Sequence, residues 1–272
     1  MRRALMMDTC FNLAATEFAL DLPDVLRRAA SAGIQGLVCT GSTVENSLMT
    51  SRLVQEMTPL FPDLGLWTTA GIHPLYTPEY SESECKRLEE AIALPGVVAV
   101  GETGLDYAEK FNPNKSLQRQ WFKTHLQLAA DTGKALFLHE REAFRDFVSI
   151  LEEFGLNRLE KVCVHCFSGS REQLETYLDL GFYIGITGIV AQKRGAHLLD
   201  LLSLIPLDRL VLETDAPYLT PQVKECKKYR RRNEPCCLPF VARAVADQLD
   251  ISVDELTLQT HRNSCNLFGI GI

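Results

Sequence analysis

Residues 97–102, "VVAVGE", are four apolar residues, a glycine and then an acid. A strand with one wet face would alternate apolar and polar positions. This run does not, so it fits a strand buried on both faces, as in a parallel sheet. Glu102 then falls where the strand meets its loop. The same pattern recurs in "LVCTG" (37–41), "ALFLHE" (135–140) and "RLVLETD" (209–215). Eight such runs can be traced: Leu5–Phe11, Gly36–Gly41, Trp67–His73, Val97–Glu102, Ala135–His139, Lys161–Phe167, Phe182–Thr187 and Arg209–Asp215.

Amphipathic helical patterns separate them, for example "DVLRRAASAG" (24–33) and "QRQWFKTHLQLAADTG" (118–133), with Gly33 and Gly133 where helix C-caps belong. Eight β/α units in 272 residues fit one TIM-type (β/α)8 barrel, a single domain over 1–272, better than a doubly wound sheet. The stretch from about Cys236 supplies the closing helices.

Composition limits the function. Hydrophobic residues at 46% and charged residues at 23% describe an ordinary globular chain with a sizeable core. The net charge of −7 argues against a general polyanion binder, so contact with nucleic acid needs a local basic patch. No apolar run approaches the roughly 18 residues of a membrane span. Arg2 and Arg3 precede only a short apolar run ending at Asp8, which is neither a twin-arginine nor a secretory signal. Nine cysteines, odd in number and scattered, suggest reduced thiols in a cytoplasm. Cys163 and Cys166, though spaced as CxxC, read as core thiols.

In a parallel barrel, chemistry comes from the C-terminal ends of several strands. Those ends carry Asp8, Cys10 and Asn12, then His73, Glu102, His139, His165 and Asp215. Singly, a strand-end histidine is a hydrogen-bonded core residue and a strand-end acid caps the next helix. Together they bury ionisable groups side by side, a cost that a divalent cation offsets. Two imidazoles and a carboxylate suit zinc, manganese or iron(II) by ligand type, whereas magnesium prefers oxygen. Asp8, Cys10 and Asn12 share one strand face. From the residues alone they are a metal site, its remnant or a polar strand end.

"GETGLDY" (101–107), "FLHEREA" (137–143), "VHCFSGS" (164–170), "YIGITG" (183–188), "ETDAPYL" (213–219) and "RRNEP" (231–235) occur in order. From about Asp8 to Phe268 the chain resembles the TatD-type metal-dependent nucleases, a TIM-barrel branch of the metal-dependent hydrolases. The resemblance implies divalent-metal hydrolysis of DNA, and RNA, from the 3′ end of single strands, in DNA repair or degradation. It implies magnesium or manganese as the working ion, magnesium being the expected one; zinc stays an alternative from ligand type. Glu102, His139 and His165 match the family's metal ligands. Asp215 matches an aspartate that contacts metal or the attacking water, and is the expected catalytic residue. His73 matches a histidine near the substrate phosphate. Asn233 and Glu234 resemble residues that brace a loop or the substrate.

Two positions depart from the pattern. Cys10 and Asn12 stand where many relatives carry the two histidines of Asp-x-His-x-His. Asp8, Cys10 and Asn12 therefore read as a vestigial first metal position, as in the subgroup around the bacterial TatD nuclease. Glu142 replaces a usual aspartate, which leaves its role open. Five of the first six residues of "KKYRRRNEP" (227–235) are cationic. Arg230, Arg231 and Arg232 are expected to overhang the barrel mouth and grip a phosphate backbone, with Tyr229 beneath a stacked base. A cytoplasmic monomer is expected. The rivals are a small-molecule amidohydrolase or phosphoesterase on the same barrel, and a non-catalytic nucleic-acid-binding barrel.

Overall fold

The computed structural model describes residues 5–111 and 113–271, so Arg2 and Arg3 lie outside the described residues. The strands are β1 (Met6–Phe11), β2 (Ile34–Cys39), β3 (Gly65–Ala70), β4 (Val97–Asp106), β5 (Ala135–Arg141), β6 (Val162–Val164), β7 (Tyr183–Ile186) and β8 (Leu210–Leu212). They pair in sequence order, each parallel to the next. The helices between them are α1 (Leu22–Ser31), α2 (Val44–Met57), α3 (Glu82–Ile92), α4 (Lys115–Thr132), α5 (Phe144–Phe154), α6 (Arg171–Asp179) and α7 (Ala196–Leu202). Two more, α8 (Leu238–Leu249) and α9 (Val253–Phe268), complete the ring. This is the (β/α)8 barrel expected of eight doubly buried strands. Among the described residues, no helix is long and apolar enough to cross a membrane.

Alternating strand residues divide the core in two. Phe11, Leu37, Cys39, Val100, Leu136, Leu138 and Ile184 pack outward against the helices. Met7, Val38, Ala99, Phe137, Cys163 and Val211 pack with Phe268 of α9 in a second cluster, the filled barrel interior. Phe137 and Phe268 meet with ring centroids 6.2 Å apart. All nine cysteines are unpaired, and Cys163 is a core thiol.

Seven of the eight strands end at a different residue from the traced runs, and three of these ends shape the site. β3 stops at Ala70, and His73 instead caps a short 3-10 helix, Pro74–Tyr76. β4 runs on to Asp106, because an irregularity between Val100 and Thr103 is followed by renewed pairing of Thr103–Asp106 with Leu138–Arg141. β8 ends at Leu212 because the next residues turn to β1. The Thr214 N–H donates to Asp8 Oδ1 at 2.9 Å, the Asp215 N–H to the Cys10 carbonyl at 2.9 Å and the Asn12 N–H to the Ala216 carbonyl at 3.0 Å. Asp8 also binds the Thr214 hydroxyl. The barrel thus closes partly through a buried carboxyl group.

Burial pushes the Asp8 carboxyl up to about 8, against the lowering pull of its bonds to Thr214 and Cys10. The folded chain therefore holds this proton more tightly than the unfolded one does. The stability it contributes is complete below the ordinary carboxylate range and is lost as pH rises through about 8. Asn in place of Asp8 can still accept both N–H bonds and donate to the threonine. Asp8→Asn should flatten the fall in melting temperature between pH 6 and 9 and be the more stable form at pH 9. A wild-type decline that survives the substitution would rule Asp8 out as its source.

Candidate metal centre

Glu102 sits in the irregular stretch of β4. Such a bulge re-aims a strand side chain, and Glu102 points to the floor of a cavity of about 520 Å³. Its Oε1 is met by three imidazoles: His165 Nε2 at 2.8 Å, His139 Nδ1 at 3.1 Å and His73 Nε2 at 3.3 Å. His139 comes from β5, His165 from just beyond β6 and His73 from the loop after β3. Burial alone would raise the Glu102 carboxyl, but His165 and His73 hold it well below its usual range. In return, His165 is raised well above the ordinary imidazole value, burial notwithstanding, chiefly by Glu102.

The three histidines differ in their second nitrogen. His73 Nδ1 accepts the Leu75 N–H at 3.1 Å. A backbone N–H donates only to a lone pair, so the proton of neutral His73 sits on Nε2 and points inward. Burial keeps His73 below the usual imidazole value, favouring that neutral form. His139 Nε2 lies 3.2 Å from Asp106 Oδ2. His165 Nδ1 has no hydrogen-bond partner, its nearest acid being Glu213 Oε2 at 3.6 Å. By distance alone, His73, Glu102 and His139 form a group whose donor atoms all lie within 4.8 Å of one another. All three turn a nitrogen to Glu102, and His73 differs in that the Leu75 N–H occupies its second nitrogen.

Asp215 also lines the cavity. Its φ of 52° is a conformation aspartate tolerates. Its Oδ1 accepts the Asn12 amide at 3.0 Å and lies 3.6 Å from Cys10 Sγ. Burial, offset in part by His165, pushes the Asp215 carboxyl up to about 7. Asp8, Cys10 and Asn12 are thus engaged in hydrogen bonds to the β8 end, with Cys10 Sγ a further 3.2 Å from Thr40 Oγ1.

The cations lining the cavity, among the described residues, are Arg141 and Arg194, and exposed Tyr76, Phe111 and Tyr218 stand with them. Of the residues expected to hold substrate, His73 lines the cavity and the others are absent from its lining. Arg230 and Arg231 are exposed but absent from the lining. Arg232 grips Asp21 at 2.6 and 2.8 Å and Glu234 at 2.8 Å. Glu234 is buried and also binds Arg28 at 2.6 and 3.0 Å. The Asn233 amide donates to the carbonyls of Thr214 and Tyr218. Arg232, Asn233 and Glu234 brace the loop, tying it to α1 and to the segment after β8. Glu142 is exposed, outside this cavity and 3.9 Å from Arg141.

Asp106 and Glu213 join the site without having been expected there, although both lie in the motifs quoted above. Glu213 is fully buried, with Oε2 on the Cys166 N–H at 2.9 Å and Oε1 on the Thr9 hydroxyl at 3.1 Å. A Cβ on Gly185 would come within 2.3 Å of Glu213, so β7 needs glycine there. An acid two residues before Asp215 was the available signal for Glu213.

The family described as TatD related DNase matches residues 7–269. The chain belongs to the TatD family. A 3′-5′ ssDNA/RNA exonuclease TatD of Edwardsiella piscicida is 42% identical over 264 residues, 97% of this chain and 99% of the relative. Its counterpart in Pantoea vagans is 40% identical over the same shares. Among solved structures, a TatD homolog from Escherichia coli superposes with a TM-score of 0.86 at 27% identity, covering 98% of each chain. A TatD family hydrolase from Entamoeba histolytica gives 0.84, also at 27% identity and 98% coverage of each. The His/Glu cluster is thus the metal-binding centre of a TatD-family, metal-dependent hydrolase.

The bracing geometry sets an expectation. Glu234→Ala leaves Arg28 and Arg232 without their shared carboxylate and should cost about 2 kcal/mol, read from the urea unfolding midpoint. Arg230→Ala and Arg231→Ala should each stay within about 0.5 kcal/mol, as exposed substitutions do.

Proposed function

We infer that this TatD-family hydrolase is a nuclease that removes nucleotides from the 3′ end of single-stranded DNA and RNA. The observation that carries the reading is the convergence of three imidazoles on one buried Glu102 oxygen, beneath a rim of arginines and exposed aromatics. Single-strand preference and polarity follow the activity named for its relatives.

Glu102, His139 and His165 are the proposed ligands, and their donor set fits a divalent cation. Both imidazoles already turn a nitrogen to the carboxylate within 3.1 Å, where positive charge is needed. When bound, the ion polarises a phosphate oxygen and lowers the pKa of water. Magnesium is the proposed working ion, with manganese or zinc able to substitute. The His73 Nε2–H donates to a phosphate oxygen. Asp215, held by Asn12, accepts the proton of the attacking water and is the proposed catalytic base. Arg141 and Arg194 neutralise neighbouring phosphates, while Tyr76, Phe111 and Tyr218 offer faces on which bases stack. The hydrogen bonds that engage Asp8, Cys10 and Asn12 support their reading as a lost first metal position. Nine unpaired cysteines support a reducing, cytoplasmic setting.

Metal-titrated digestion of single strands labelled at either end tests the reading. A 3′ label should leave first and a 5′ label should give a shortening ladder, both only with divalent metal. Binding without cleavage at every metal concentration would favour the non-catalytic barrel instead. His139→Ala and His165→Ala should abolish turnover, with excess metal restoring part of it. Asp215→Asn should keep the metal and lose about a hundredfold or more in rate. Because the base form of Asp215 grows as pH rises, the acid limb of kcat/KM should lie at or below about pH 7 and vanish in that variant.

Salt dependence separates the two sets of cations. Replacing Arg141 and Arg194 with alanine should flatten log affinity against log salt by about 0.7 for each phosphate left without its arginine. The pair Arg230→Ala and Arg231→Ala should leave that slope unchanged.

A further inference from the structure

Gly104 of β4 pairs directly with His139 of β5. On either side of this glycine stand Glu102 and Asp106, two residues away in each direction. The His139 ring lies between the two carboxylates, Nδ1 at 3.1 Å from Glu102 and Nε2 at 3.2 Å from Asp106. A Cβ on Gly104, whose φ is 138°, would come within 2.0 Å of the His139 carbonyl oxygen. The strands approach this closely only because position 104 is glycine.

Asp106 is itself held. It is buried, and its Oδ1 accepts the Ala108 N–H at 3.0 Å. Gln118, a buried polar residue of α4, uses its amide as a second peptide group. Its Oε1 accepts the Asp106 N–H at 2.9 Å, and its Nε2 donates to the Asp106 carbonyl at 2.9 Å. Gln118 has no such bond to His139, Glu102 or His73. A glutamine at this depth needs partners for its amide, and here both are the backbone of one aspartate.

We propose that Asp106, clamped by Gln118, is a positioning residue that holds the His139 ring by Nε2–H and so presents Nδ1 to the metal. An ionised carboxylate only accepts hydrogen bonds, so the nitrogen facing Asp106 carries the proton. Nδ1 likewise faces an ionised carboxylate, Glu102, at 3.1 Å, so its proton is the one a metal would displace, while Asp106 keeps Nε2–H. Outer carboxylates on ligating histidines act in this way, fixing tautomer and ring orientation. The inference rests on the proposed role of His139 as a ligand.

The test uses the zinc-loaded protein with 15N-labelled histidine, the His139 signals being assigned by their absence in His139→Ala. Wild type should show a slowly exchanging Nε2–H on His139. Asp106→Ala should lose that protected proton and weaken zinc binding roughly ten- to a hundredfold by competition with a chelator. Gln118→Ala, which touches neither ligand nor metal, should shift both readouts the same way by a smaller factor. The double variant should bind zinc no more weakly than Asp106→Ala alone, since the two act through one hydrogen bond to His139.

Should Asp106→Ala not fold, Asp106→Asn takes its place. Its single amide oxygen must serve two donors, so it should show an intermediate loss. Wild-type affinity and a protected Nε2–H in the Asp106 variant would overturn the proposal. So would additive losses in the double variant, which would make Gln118 independent of Asp106. If His139→Ala itself leaves zinc affinity unchanged, the ligand assignment fails, an outcome distinct from failure of the Asp106 variants alone.

Discussion

A carboxylate at the floor of a barrel is costly to bury unless opposite charge or hydrogen-bond donors surround it. Glu102 is only 6% exposed, and three imidazoles are arranged around it. Three different β/α units bring imidazoles to a single oxygen of it. No single element could do so, because neighbouring residues on one strand point to opposite faces. Parallel closure supplies the missing geometry by bringing the C-terminal ends of all the strands to one rim. Proton-loaded imidazoles and a divalent cation answer the same electrostatic demand, so a site that holds its histidines this close is already shaped for a metal.

Second hydrogen bonds give these similar side chains separate tasks. A backbone N–H on Nδ1 makes His73 a donor. Asp106 takes Nε2 of His139 and leaves Nδ1 turned inward. The Asn12 amide holds Asp215, whose carboxyl burial raises to about 7, near the range where a base is most useful. The first strand, in place of imidazoles, contributes groups that lock the end of the eighth strand. Asp8 serves closure, and Asn12 serves orientation.

Charge at the mouth follows the same separation. The densest basic stretch of the chain, around Arg230 to Arg232, has the composition of a nucleic-acid grip. Its third arginine instead closes an ion-pair network with Asp21, Glu234 and Arg28 that anchors the loop to α1. Arg141 and Arg194, outside that stretch, are the ones that reach the cavity. A run of like charges shows where positive potential is available, but neighbouring acids decide which side chains remain free.

Local pattern was enough for the architecture. Doubly apolar runs separated by amphipathic helices and glycine caps specify parallel strands, since each signal arises within a few residues, and their number, eight, points to the barrel. It was also enough to pick out Glu102, His139, His165 and Asp215, although β4 and β5 run on past the first two. Tertiary structure decided what each does. The run of β4 past Glu102 to Asp106 depends on a bulge and on its register against β5, which no feature of β4 alone records. The protonated nitrogen of His73, the clamp of Gln118 on Asp106 and the capture of Arg232 by Asp21 were not legible in the chain. The last two join residues well separated in sequence, and the first matters only where the ring meets Glu102. Their hydrogen bonds exist only once the barrel has closed, because a donor's partner is set by distance and direction in space.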